Sequence, residues 1–255
     1  MTARLSTGLV NSLMSVGCFA DALSSGVIDI YSGPQPALPD NAATGTLLVT
    51  LTSNSGAYTS ETRAAGSMTL TGGASGSVNT VTVNGVDVLG GVVAFNTSLT
   101  QTAADVAAQI NRNSKNRTFV ATSAGAIITL TASGGMGVTP NTWAVSSTLT
   151  TLTASYVAFA GGVDAVNGLL FDYSVAGALS KRATQTWSGN ALATGTAGYF
   201  RFRETTDTGV GASATAVRYD GAIASSGAEM NLASLSVTIS APFTVTGAVF
   251  TLPQQ

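Results

Sequence analysis

The twelve acidic residues of this chain are the first place to look for chemistry. Glu204 and Asp207 stand close together in "RETTD", and a pair of carboxyl groups is what acid–base hydrolysis of a glycosidic bond requires. No further reactive group joins them. The chain has no histidine, which removes the commonest general base and the commonest neutral metal ligand together. Cys18 is the only cysteine, so neither an intrachain disulfide nor a cysteine-based zinc cluster can form. It stands in the apolar run "MSVGCFADAL", where a buried small hydrophobe is expected rather than a reactive thiol. The glycine-rich "TGGASGS" at 71–77 has no lysine and no following helix, which argues against a phosphate cradle. "DAVNG" and "DTGVGAS" lack the oxygen-ligand spacing of a calcium loop. The sequons at Asn96 and Asn116 bear on function only in a glycosylating host. The chain is therefore expected to be no enzyme, with no catalytic, cofactor-binding or metal-binding residues and no cofactor.

The densest polar cluster is "YFRFRETTD" at 199–207. Strand alternation puts Arg201 and Arg203 on one face and Phe200, Phe202 and Glu204 on the other. One reading is an edge strand guarded by charge. The other is a subunit interface in which arginine makes two-point pairs with carboxylates of a neighbour. Arg201, Arg203 and Glu204 are the candidate interface residues here. At the N-terminus the candidates are Leu5, Leu9 and Leu13, the apolar stripe of an expected helix over residues 3–23, which Val16 and Ala20 continue. This helix packs either within or between subunits.

Charge is scarce throughout. Charged residues are 9% of the chain and the net charge is -2, against roughly 25% charged in an ordinary soluble domain. A concentrated basic face is absent, so no specific nucleic-acid partner is expected. The polar surface must come from Ser, Thr, Asn and Gln, which lose less on close contact than ions do. That suits either a stable extracellular β-domain or a protein packed against neighbours. Asn11, Ser12 and Ser15 interrupt the first apolar stretch, so no secretion signal is expected. No run approaches the roughly 18 apolar residues of a membrane span. Aromatics at 7% are too few for the girdles of a membrane barrel.

These residues sit in a mainly β pattern. "VIDIYSG" and "GTLLVTLTS" read as strands, separated by a stretch holding Pro34, Pro36 and Pro39. Asn84-Gly85 between alternating β-formers predicts a hairpin. "TAADVAAQINRN" at 102–113 is the exception, with Ala103, Val106, Ala107 and Ile110 at helical spacing. Thr102 and Asp105 form a variant capping box, and Arg112, Lys115 and Arg117 favour the C-terminal end. Polar seams near 63 and 163 frame this region. The expected architecture is a discontinuous outer domain, 1–63 and 164–255, an antiparallel β-sandwich or barrel-like fold with an N-terminal helix. It carries an inserted β-rich module, 64–163, whose one short helix covers a sheet face.

Two patterns carry a resemblance. "ADALSSGVIDIYSGPQPALPDNAATGTLLVTLT" with "ATQTWSGNALATGTAGYFRFRETTDTG" resembles uncharacterised virion structural proteins of tailed bacteriophages. "NTVTVNGVDVLGGVVAFNTSLTQTAADVAAQINRN", continued by "RTFVATSAGAIITLTASG" and "FAGGVD", resembles a β-rich insert that recurs in phage head and tail proteins. Together these cover most of the chain. The resemblance brings no catalytic residues. It implies a non-enzymatic component of the virion, in contact with other copies of itself and with capsid or tail proteins, and without a membrane partner. Capsid decoration is the first expectation, with neck, collar, tail or baseplate as alternatives. A different class, a glycan- or receptor-binding adhesin, would stack sugars on Trp143, Tyr156 or Trp187.

Overall fold

A computed structural model describes residues 3–15, 18–113 and 118–251. Strand accounts for 42% and helix for 11%, so the chain is mainly β, in a sandwich-like arrangement of antiparallel sheets. It divides into two compact units: Met1–Glu61 with Ala165–Gln255, and Thr62–Asp164. Both crossings lie in the polar stretches noted above. Lys115, Arg117 and the sequon asparagine Asn116 lie outside the described residues.

The outer unit opens with β1 (Arg4–Leu5), α1 (Thr7–Ser15), α2 (Phe19–Leu23), β2 (Val27–Ser32) and β3 (Leu47–Ser53). The insert follows with β4 (Ala65–Gly72), β5 (Ser77–Val83), β6 (Val86–Asp87), β7 (Val93–Ala94), α3 (Leu99–Arg112), β8 (Phe119–Ala124), β9 (Ile127–Ala132), β10 (Val145–Thr150) and β11 (Thr153–Ala160). The outer unit resumes with β12 (Ala178–Ser180), β13 (Trp187–Asn190), β14 (Gly195–Arg203), β15 (Arg218–Ala224), β16 (Met230–Asn231), β17 (Ser236–Val237), β18 (Pro242–Val245) and β19 (Val249–Thr251).

The main sheet of the outer unit runs β1-β15-β14-β2-β3-β13-β18. One of its faces is apolar because alternate residues of the central strands are apolar. Ile28 and Ile30 of β2, Val49 and Leu51 of β3, and Phe200 and Phe202 of β14 are buried together. Phe19, Phe171, Trp187, Tyr219 and Phe250 join them in a connected set of aromatic contacts, mostly edge-on or tilted, the favoured geometry for ring quadrupoles.

A single N-terminal helix over 3–23 is not what forms. Arg4 and Leu5 pair instead with Asp220 and Tyr219 at the sheet edge. Helix α1 starts only after Ser6, whose buried hydroxyl accepts from the Leu9 N–H at 3.0 Å and donates to the Ala216 carbonyl at 2.8 Å. It also accepts from the Arg218 N–H at 2.9 Å, so this N-cap is anchored at the start of β15. Sheet pairing thus overrides the helical periodicity of the first residues. Residues 16 and 17 lie outside the described residues. Cys18 is exposed, contrary to the expected burial. It precedes α2 in extended backbone, and that segment buries Phe19 and Leu23 instead.

In the insert, β11-β4-β9-β8 form one four-stranded sheet, and β5 pairs with β10, β6 and β7 in another. Met68, Leu70, Val81, Val83, Ile128, Leu130 and Phe159 fill one core with α3. The helix buries Ala103, Val106, Ala107 and Ile110, and Val106 and Ile110 each contribute on the order of 1.5–3 kcal/mol by that burial. Its start differs from expectation. The N-cap is Ser98, which accepts from the Gln101 N–H at 3.1 Å. Thr102 is a buried first-turn residue whose hydroxyl donates to the Ser98 carbonyl. Asp105 accepts from Asn96 and Gln101 side chains, and these bonds hold its carboxyl below the usual range. The Ser98…Gln101 spacing is itself that of a capping box, four residues ahead of the motif singled out from sequence.

Two asparagines act as peptide mimics. Asn111 of α3 donates to the Ala121 carbonyl and accepts from the Ala121 N–H, both at 2.8 Å, tying helix to strand β8. Asn141 makes the same two-point pair with Gly162. At the ends of the insert, Thr62 and Val163 exchange backbone hydrogen bonds of 3.1 and 2.9 Å. Thr59 and Val166 of the outer unit do likewise at 3.2 and 3.0 Å. No described helix is long and apolar enough to cross a membrane.

Candidate functional site

The second face of the main sheet holds the largest concentration of charge in the outer unit. Strand β14 is not an edge: it lies between β2 and β15. Register sets Arg201 opposite Asp29 on one side and Asp220 on the other, and sets Arg203 opposite Arg218. One row beyond, Tyr199 stacks on Tyr31 with ring centroids 5.1 Å apart.

Each guanidinium is held in a fixed pattern. Arg201 binds Asp220 at two points, 2.9 and 2.8 Å, and donates also to the carbonyls of Gly209 and Asn41. Arg218 binds Asp207 at two points, 2.6 and 2.7 Å, and donates to the Pro39 carbonyl at 3.1 Å. Arg203 binds Asp29 at 2.6 Å and the Asp207 carbonyl. Asp29 further accepts from the Thr50 hydroxyl at 2.7 Å. Three positive and three negative charges therefore cancel inside the unit, and all six side chains are at most 12% exposed. Planar two-point pairing is the arrangement that best offsets the loss of hydration.

The segments that bury this lattice are the two loops it holds, 33–46 and 204–217. They also bind each other, Ala43 N–H to the Val210 carbonyl and Ser213 N–H to the Asp40 carbonyl. Asp40 in turn accepts two bonds from Thr7, and Arg4 donates to the Pro36 and Ala37 carbonyls. The lattice is a clasp: charged side chains on the sheet grip loop carbonyls, and the loops exclude water from the charges.

Its electrostatics follow from this closure. Desolvation alone would raise the Asp207 carboxyl, but bonds from Arg218 and the Gly209 N–H, with the charges of Arg218 and Arg203, outweigh it and leave it below its ordinary value. Burial pushes the Tyr58 hydroxyl up to about 12. That ring lies under the Arg203 guanidinium, 5.9 Å from centroid to carbon, a cation–π contact.

The residues singled out from sequence are thus dispersed among internal roles. Arg201 is fully buried and Arg203 nearly so, both paired within the chain; Arg201 makes a two-point pair with Asp220 and Arg203 a single bond to Asp29, both carboxylates of this chain rather than a neighbour's. Glu204 is buried and accepts from the Val217 N–H at 2.9 Å. Asp207 points into the clasp, where both its oxygens accept from Arg218. Leu9 is fully buried in the outer core, with Leu5 and Leu13 packed against it; the exposed apolar residues of α1 are Val10 and Met14. Trp187 is fully buried, Trp143 lies edge-on to Phe119, and Tyr156 hydrogen-bonds Ser147. Sequence reasoning missed Asp29, Arg218 and Asp220. The signal was available in "VIDIY" and "VRYDG", where ions interrupt apolar strands at matching parity. Among the described residues, no three Cys, Asp or Glu side chains gather to hold a metal ion.

Comparison with protein families, with curated proteins and with solved structures finds no match for this chain.

Proposed function

We propose that this chain is a non-enzymatic structural component of a tailed-phage virion, stabilising the particle through repeated contacts with copies of itself and with capsid or tail neighbours. Capsid decoration is the placement we favour; a neck, collar, tail or baseplate position rests on the same argument. The observation that carries the reading is the withdrawal of charge into the clasp. Of an already small set of ions, Asp29, Arg201, Arg203, Asp207, Arg218 and Asp220 are removed from the surface. Among the groups left outside are large apolar side chains such as Met14, Val175 and Tyr173. Such a surface associates without stripping water from ions, and many modest contacts gain strength from copy number. An adhesin that stacks sugars on Trp187 has less support, because that ring belongs to the core.

Locating the chain in intact particles at residue resolution tests the proposal. A fixed lattice position in every particle is the expected result. Absence from purified virions, combined with tight glycan binding by a monomer, would overturn it.

A further inference from the structure

The six charges of the clasp are covered by two loops, and both loops are held in turn by one short segment, residues 4–9. Three consecutive residues of loop 33–46 form the centre of the cover. The Pro39 carbonyl accepts from Arg218, the Asp40 carbonyl from the Ser213 N–H, and the Asn41 carbonyl from Arg201. The carboxylate of the middle residue, Asp40, takes two bonds from Thr7, one from its N–H at 2.9 Å and one from its hydroxyl at 2.6 Å. Arg4 reaches the same loop, donating to the Pro36 and Ala37 carbonyls at 2.5 and 2.6 Å.

The same segment grips the second loop where it enters β15. The Ser6 N–H donates to the Arg218 carbonyl at 3.0 Å, and the buried Ser6 hydroxyl bonds the Ala216 carbonyl and the Arg218 N–H. Gly8 docks because it lacks a side chain: a Cβ there would stand 2.3 and 2.4 Å from the Thr215 and Ala216 carbonyl oxygens. Arg4 and Leu5 pair with Asp220 and Tyr219. Arg218 and Asp220, one from each two-point pair of the clasp, thus stand on the stretch of β15 to which the segment docks.

We propose that residues 4–9 are a latch. Docked, they close both loops over the charges; undocked, they let the loops lift and return the six ions to water. The segment is suited to release before the sheet does. Its strand β1 has two residues and lies at the sheet edge, and Leu9 is its one fully buried apolar side chain. Elements that bury so little apolar surface open locally, at less than the free energy of global unfolding. On release, loop 33–46 loses the bonds from Arg4 and Thr7, and segment 215–218 loses those from Ser6. The latch is a property of the isolated chain and goes beyond the particle role: it sets whether this face of the outer unit is closed or charged and open. By linkage, whatever binds the open clasp favours the undocked segment, and whatever holds the segment down keeps the clasp shut.

Gly8→Ala in the full chain tests the latch. Alanine is the better helix former, so α1 itself gains and any loss comes from docking. Amide exchange at Ala43 and Ser213, whose N–H groups join loop to loop, should quicken by about tenfold or more, and phenylglyoxal should modify Arg201 and Arg218 faster. The amides of β14 and β9 should exchange as in the wild type, and so should Arg182 react, its side chain being 45% exposed already. Thr7→Val keeps the size and removes the hydroxyl bond to Asp40, and it should shift the same two amides in the same direction by less. Unchanged exchange at Ala43 and Ser213 in both variants, or a rise shared equally by β14, would overturn the latch. If Gly8→Ala does not fold, Thr7→Val combined with Arg4→Met decides by the same readout.

Discussion

Asp220→Asn is the sharpest test of the clasp. The substitution keeps shape but replaces a carboxylate by an amide, so one of the two acceptors facing Arg201 becomes a donor against a donor. Arg201 retains the Gly209 and Asn41 carbonyls, which are dipoles and do not neutralise its charge. Breaking a buried pair by removing one partner costs about 3–5 kcal/mol. The outer unit comprises Met1–Glu61 and Ala165–Gln255, a size at which each kcal/mol shifts the melting temperature by roughly 2–4 °C. The outer unit should therefore melt about 6–20 °C lower. Calorimetry reads this, with near-ultraviolet dichroism of the aromatic core identifying the unit. The double variant Arg201→Met with Asp220→Leu should recover most of the loss, since an apolar pair of similar volume leaves no ion unpaired. A loss below about 1 kcal/mol in the single variant, or a double variant no better than the single, would refute a closed, dry lattice.

Asp207 gives the clasp an acid limit. Its folded value is depressed, so the stability it contributes is complete above the ordinary 3.8 and disappears as pH falls below that toward the folded value; urea midpoints between about pH 5 and 2 should fall in the wild type and flatten in Asp207→Asn. Asn111→Ala removes both bonds to Ala121 and should destabilise the insert by about 1–3 kcal/mol, with faster amide exchange at Ala121. Ser98→Ala should cost about 1 kcal/mol of insert stability, and Thr102→Ser, which keeps the internal hydroxyl bond, should cost less; denaturant titration ranks the two.

What the sequence made legible was whatever repeats locally. The apolar face of α3, the parity of Arg201 and Arg203 against Phe200 and Phe202, and the mainly β class all depend on neighbours within a few residues. What it hid was pairing at a distance. Which carboxylates meet Arg201 depends on strands that are adjacent in the sheet but remote in the chain, with Asp29 and Asp220 on opposite flanks of β14. The face carrying the arginines therefore read as outward, because charge normally marks solvent, whereas two loops close over it. The N-terminus failed for a related reason: its helical spacing is real, but Arg4 and Leu5 have a sheet edge waiting for them. At α3 two successive cap patterns compete, and Ser98 prevails because it adds a turn of helix.

The paired ends of the insert have a consequence for how the chain can be rebuilt. Because Thr62 and Val163 lie side by side, as do Thr59 and Val166, the host closes no loop around its guest. The entropy of joining the ends is then nearly independent of the length of what lies between them. The position works as a socket: residues 62–164 should be replaceable by a two-residue hairpin turn, or by an unrelated cassette whose own termini are adjacent, with the outer sheet and its clasp unchanged.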